Sequence, residues 1–280
     1  MRAIRNRIKS IESTRQITRS MRMVAASKLR RTQEQWLRLR DFAETGRTVL
    51  QKLCGSAAGA KSPLLTPREG NRLCLALIVG NRGLCGAYHT ALLKAAEERI
   101  ASSKEEISLV VCGRWGREQI AALGLPVLHS FDTLSDTPSA DEAGEISDYL
   151  EALYTNGETD RVVLLYEHYR SALSQEPDEL PLLPMDGSAE TEPLDVIFEP
   201  DPETLLDALS HLVLRSTVHA ALLEAKTAEH TARMTAMSAA SDNTDELIAE
   251  LNLKLNHARQ AAITTEISEI VGGSNALHAK

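Results

Sequence analysis

The spacing of hydrophobic positions divides the 280 residues into three stretches. Near the start, Ile4, Ile8, Ile11, Met21, Val24, Leu29, Trp36, Leu39 and Phe42 recur mostly three, four or seven apart, the stripe of a long helix. Near the end, Leu205, Leu209 and Leu212, then Ile248, Leu251, Leu255, Ala258 and Ala262, mark a second one. Between them, short apolar runs alternate with amphipathic stretches. This pattern predicts strands over 73–79, 107–111, 126–129 and 161–167, and helices over 88–102, 114–123 and 141–154. Strands spaced by helices imply a central Rossmann-like, mostly parallel α/β domain. The Pro-rich stretch 171–193 reads as a surface loop or hairpin tip, and 194–198 as a further edge strand.

The helix breakers sharpen the division. All ten prolines lie between Pro63 and Pro202, and residues 1–45 and 203–271 contain neither proline nor glycine. Asp201 followed by Pro202 is a helix start, and Gly272-Gly273 reads as its stop. The 69 residues between would span about 100 Å as one helix. Two long helices flanking a globular insert are expected to pair as a long antiparallel coiled coil, with a folded-back bundle as the alternative. The Ala-, Ser- and Thr-rich stretch 219–241 lets helix backbones approach closely. With Leu53 opposite Glu203, Met21 falls opposite position 235, and the last 25 residues project as a tip of about 35–40 Å. The expected domains are residues 1–57, 58–200 and 201–280.

Charge adds an asymmetry. Residues 1–52 hold 14 Lys and Arg against 4 Asp and Glu, whereas the chain as a whole carries −8. A transit peptide is disfavoured because the helical pattern runs on to about residue 45 without a cleavage-like break. Nucleic-acid binding is disfavoured because the basic stretch carries only Trp36 and Phe42 as aromatics and no reader motif. No run of about 18 apolar residues exists to span a membrane. Cys54, Cys74, Cys85 and Cys112 show no C-x-x-C spacing and read as free thiols.

One motif tempts a catalytic reading. The turn Gly80-Asn81-Arg82-Gly83-Leu84-Cys85-Gly86 follows the first strand, where a phosphate could rest on backbone N–H groups. Its G-x-x-G-x-x-G spacing matches neither the dinucleotide fingerprint nor a Walker loop, so a tight structural turn is the simpler reading. Cys85 with His89 four residues on could form a nucleophile and base, but a small buried thiol is simpler. The histidines are too dispersed for a metal signature. At the other extreme, Leu251, Leu255, Ile263, Ile267 and Ile270 lie on a tip that cannot cover its own apolar face, and so need a partner wall.

Longer motifs identify a family. The run from Ser13 to Thr18 into Met21–Arg31 resembles the opening of the γ subunit of F-type ATP synthases, and so do Ala232-Arg233-Met234, Asp242-Asn243 and the stretch Ala258–Gly273 near the end. Arg82-Gly83-Leu84-Cys85-Gly86 is similar to that family's mid-chain motif, although this chain has Gly80-Asn81 where the family has Ser-Asp. The resemblance implies a non-catalytic rotor with no cofactor or metal. The coiled coil would sit inside a hexamer of α and β subunits, and the α/β domain would form a foot on the c-ring beside the ε subunit. Met21, Arg233, Gln260, Thr264 and Glu266 would meet the hexamer, Phe198 and Glu199 the c-ring. The setting implied is the cytoplasmic face of a bacterial membrane, peripherally attached. A nucleotide-dependent enzyme and an unrelated coiled-coil adaptor remain as rival readings. The foot's −13 over residues 53–200 has no explanation in the sequence; if the foot docks mainly by charge on basic c-ring loops, salt should weaken that association steeply.

Overall fold

The computed structural model describes residues 1–56, 62–187 and 198–278, with side chains through Val271. The chain divides into two compact units, one of residues 1–24 with 234–280, the other of residues 25–233. Two long helices contribute to both: α1 (Arg2–Ser56) and α5 (Pro202–His278).

In the larger unit a five-stranded sheet carries β1 (Arg72–Ile78), β2 (Glu106–Cys112), β3 (Val127–Phe131), β4 (Arg161–Tyr169) and β5 (Gln175–Leu183) in the order β3-β2-β1-β4-β5. The first four are parallel and β5 is antiparallel to β4. β1 is central, with Leu75 level with Leu109 of β2 and Val163 of β4. Such a strand is buried on both faces, so it reads as the continuous run Leu-Cys-Leu-Ala-Leu-Ile.

The helices between strands are α2 (Tyr88–Ser102), α3 (Arg114–Ala122) and α4 (Ala140–Thr155). One sheet face buries Cys74, Ala76 and Ile78 with Ile146 and Leu150 of α4 and Leu214, Val218 and Leu222 of α5. The other buries Leu73, Leu75 and Leu77 with Leu92 of α2 and Ile120 of α3. α4 starts on a capping box: Ser139 Oγ accepts the Glu142 N–H, and the Glu142 carboxylate accepts the Ser139 N–H. α5 starts as expected at Asp201, whose carboxylate accepts the Thr204 N–H at 2.9 Å.

Within this unit α1 and α5 meet at Leu50, Leu206 and Val213, and a Cβ on Gly46 would stand 3.2 Å from Val213. In the smaller unit Arg15 and Arg19 of α1 bind Asp245 of α5 at 2.8 and 3.0 Å, and Arg19 reaches the Ser241 hydroxyl. The antiparallel pairing is therefore present, but its register is one helical turn from the expected one. With Arg15 level with Asp245, Met21 falls level with Ala239 instead of position 235. The expected count began from Leu53 opposite Glu203, and α1 continues past Leu53 to Ser56.

Two further expectations are corrected. α5 runs through Gly272-Gly273 to His278, because a glycine costs an α-helix only about 1 kcal/mol and forces no stop. β5 occupies part of the stretch read as loop, leaving Ser171–Ser174 as the hairpin turn. As an edge strand it tolerates Pro177 and Pro181, whose missing donors would break a central strand. The strand expected over 194–198 lies, apart from Phe198, outside the described residues.

Candidate functional site

The Gly80–Gly86 turn leaves the C-terminal end of β1 at the point where the strand order reverses from β2 to β4, the crevice where α/β sheets commonly bind ligands. Here α5 fills it. Every residue from 220 to 231 is buried, including Glu224, Lys226, Glu229 and His230. Lys226 Nζ lies 2.8 Å from Glu229 Oε2, and Arg233 Nη2 lies 2.6 Å from Glu229 Oε1. The same Arg233 nitrogen donates to the carbonyls of Arg82 at 3.0 Å and Gly83 at 3.3 Å. Burial alone would raise the Glu229 carboxyl, but the two cations outweigh it and hold it at about 2.

The turn is shaped to receive this group. A Cβ on Gly80 would stand 2.6 Å from His89 Cε1 and 2.9 Å from the Glu229 carboxylate carbon, so a larger residue there makes those side chains move. Asn81 ties the turn to its neighbours: its Oδ1 accepts the Arg114 N–H at 3.2 Å, and its Nδ2 donates to the Leu134 carbonyl. His89 stacks on Trp115 with ring centroids 4.3 Å apart, and its Nε2 bonds the Arg82 carbonyl at 3.0 Å. Leu84 adopts φ +63° with its side chain exposed, and Gly86 φ +62°. A left-handed conformation is rare for leucine and points that side chain outward.

Chemically, the arrangement holds α5 and the glycine turn together through one ion cluster. The Glu229 carboxylate already stands against the glycine turn and holds Arg233 there, so the space beside Gly80 is taken by the chain's own side chains. Cys85 is buried against Tyr88 and Ala228, and burial pushes its thiol up to about 11, so it supplies no thiolate at neutral pH. Burial also lowers His89, keeping it neutral. Among the described residues no group of three or more His, Cys, Asp or Glu could hold a metal, and no helix is long and apolar enough to cross a membrane.

The expected site residues thus fall into separate places. Arg233 and Arg82–Gly86 come together at this turn. Gln260, Thr264 and Glu266 are exposed near the end of α5, where Thr264 Oγ1 donates to the Gln260 carbonyl of its own helix. Met21 is half-buried on α1. Phe198 packs, half-buried, against the Leu50, Leu206 and Val213 cluster, while Glu199 is exposed. The residues missed from the sequence are Lys226, three before Glu229, and Glu229, four before Arg233, a spacing that reads as an ordinary solvated helix face. Their position inside the Ala- and Thr-rich stretch was the available signal, since such a surface packs on all sides.

A pair of long antiparallel helices joined to a mostly parallel α/β body defines a class. The chain matches the ATP synthase family model over residues 1–277. It belongs to the ATP synthase gamma-chain family. It is 43% identical to the ATP synthase gamma chain of Desulfitobacterium hafniense over 99% of this chain and 98% of that one. It is 40% identical to the gamma chain of Heliobacterium modesticaldum over 99% of each. Among solved structures it shares its fold with a chain of the Euglena gracilis mitochondrial ATP synthase OSCP/F1/c-ring assembly, at TM-score 0.72 and 20% identity, covering 99% of this chain and 94% of that one.

Proposed function

We propose that this chain is the central rotor subunit of an F-type ATP synthase, a shaft without an active site of its own. Rotation of a c-ring enters through the α/β domain, residues 58–200, with the ε subunit beside it. The helices of residues 1–57 and 201–280 carry it to the catalytic sites of a hexamer of α and β subunits. Membership of the gamma-chain family at 43% identity supports this reading.

The observation that carries it is the end of α5. From Ile263 to Val271 every side chain is exposed, and Ile263, Ile267, Ile270 and Val271 have no cover among the described residues. An apolar helix end of this kind calls for a partner surface. In this reading Gln260, Thr264 and Glu266 meet the hexamer with it, as does Met21, while Phe198 and Glu199 meet the c-ring; Arg233, expected at the hexamer too, has its guanidinium engaged by its own chain. The complex would be attached to the cytoplasmic face of a membrane, with this chain a peripheral part of it and no cofactor bound to it. The rival reading as a nucleotide-dependent enzyme is disfavoured because His89 and Glu229 crowd the glycine turn from the side of α5 and α2.

The test is reconstitution with α and β subunits of the same source. A single complex containing all three, with ATP turnover that this chain alone lacks, supports the proposal. A chain that stays apart from those subunits and leaves their turnover unchanged refutes it.

A further inference from the structure

Burying ions is costly, and apolar side chains of the same size commonly hold a helix as well as a buried ion pair does. Yet Lys226, Glu229 and Arg233 place three charges where α5 crosses the C-terminal edge of the sheet. Around them the helix presents the small residues Ala221, Ala225, Thr227, Ala228 and Thr231, with Leu222 and Leu223 buried beside them, and one turn earlier Glu224 accepts from the Tyr166 hydroxyl and the Tyr169 N–H. A smooth helix surface resists sliding and twisting poorly. Directional hydrogen bonds resist both, because they weaken steeply once their angle is lost. Arg233 supplies such bonds from Nη2, whose two hydrogens are shared among the Glu229 carboxylate at 2.6 Å and the Arg82 and Gly83 carbonyls at 3.0 and 3.3 Å. Gly80 leaves the space that the carboxylate needs.

We propose that Glu229 is a positioning residue for torque: by holding Arg233 on the Gly80–Gly86 turn, it locks α5 to the α/β body against slip. Force entering that body then passes into α5 at Arg233, the last residue of the larger unit. This inference rests on the rotor reading and adds one place, beside the Glu224 contacts, where the shaft is fastened. The role of Lys226 is to neutralise the buried carboxylate, so that Glu229 can be charged without an unpaired ion in the interior.

The experiment uses the complete ATP synthase in membrane vesicles and reads ATP-driven ion uptake against ATP hydrolysed. Glu229→Gln is expected to lower uptake per ATP about threefold or more while hydrolysis continues. A second variant, Lys226→Leu with Glu229→Leu, keeps the interior filled and removes both charges. It is expected to assemble and melt like the parent, yet be uncoupled to the same degree. A purely structural role would leave the uptake ratio of that variant unchanged. Parental coupling in either assembled variant overturns the proposal. So does loss of assembly in both, which would make the charges a folding requirement. Failure of the unsubstituted chain to form a coupled complex is a separate result, and it refutes the rotor reading itself.

Discussion

Arg15 Nη1 stands 2.8 Å from Asp245 Oδ1, bridging α1 and α5 in the smaller unit, and Arg19 adds a second bond to the same carboxylate at 3.0 Å. Together they fix which turn of one helix faces which turn of the other. The hydrogen bond from Arg15, aided by Arg19, holds the Asp245 carboxyl below the usual carboxylate range. Its contribution to folding is therefore present above the ordinary aspartate value and lost as pH falls through the lowered one.

Asp245→Asn is expected to lower the melting temperature slightly at neutral pH. The difference should shrink with added salt and vanish in strong acid, since the pair is exposed. Melting curves at several salt concentrations check this. A large effect that ignores salt would show that the register depends on more than charge.

The glycines of the turn make a sharper contrast. Gly80→Ala drives a methyl group into His89 and Glu229 and is expected to cost roughly 1–3 kcal/mol. Gly83→Ala meets nothing within 4 Å and should change stability by less than about 0.5 kcal/mol. Denaturant unfolding of both variants decides; equal effects would contradict the packing described.

Thiol labelling reads the burial of the cysteines. Burial raises Cys74 and Cys112 to about 12 and Cys85 to about 11, and all three are enclosed. Cys54 is half-buried, its thiol raised less. In the folded chain at pH 8 one thiol should react quickly, the other three only on unfolding. Rapid labelling of Cys85 would revive the nucleophile reading.

Glu167 gives a pH signature. It is buried near the end of β4 with one oxygen unpartnered, and burial, with Glu176 adding, pushes it up to about 7. The folded state therefore binds this proton more tightly than the unfolded state, where the group titrates near about 4.3. Its favourable contribution is full below that value and is lost as pH rises through about 7. Glu167→Gln should match the parent at pH 4 and exceed it at pH 8 by about 3–4 kcal/mol. Unfolding measured at both pH values checks the sign.

Much of this architecture was legible because glycine and proline are absent from two stretches, and the apolar period between them switches from helix to strand. Tyr88–Ser102 matches the expected bounds of its helix. β5 was not legible, because Glu176, Asp178 and Glu179 with two prolines resemble a loop; only its position at the sheet edge makes that composition workable. The register slipped by a turn because helix ends, not interhelical contacts, anchored the count. Candidate residues at the α5 tip could be read from their uncovered apolar neighbours. The fastening at Glu229 could not, since spacing along a helix does not reveal that all its sides are buried.

The rotor account is tested most directly by watching for rotation. Leu173, 92% exposed in the β4–β5 turn, offers an attachment point. With Leu173→Cys carrying a bead, Cys54→Ser removing the competing thiol, and the α and β hexamer fixed to a surface, added ATP should turn the bead steadily in one direction. A complex that hydrolyses ATP while the bead stays still would contradict the account.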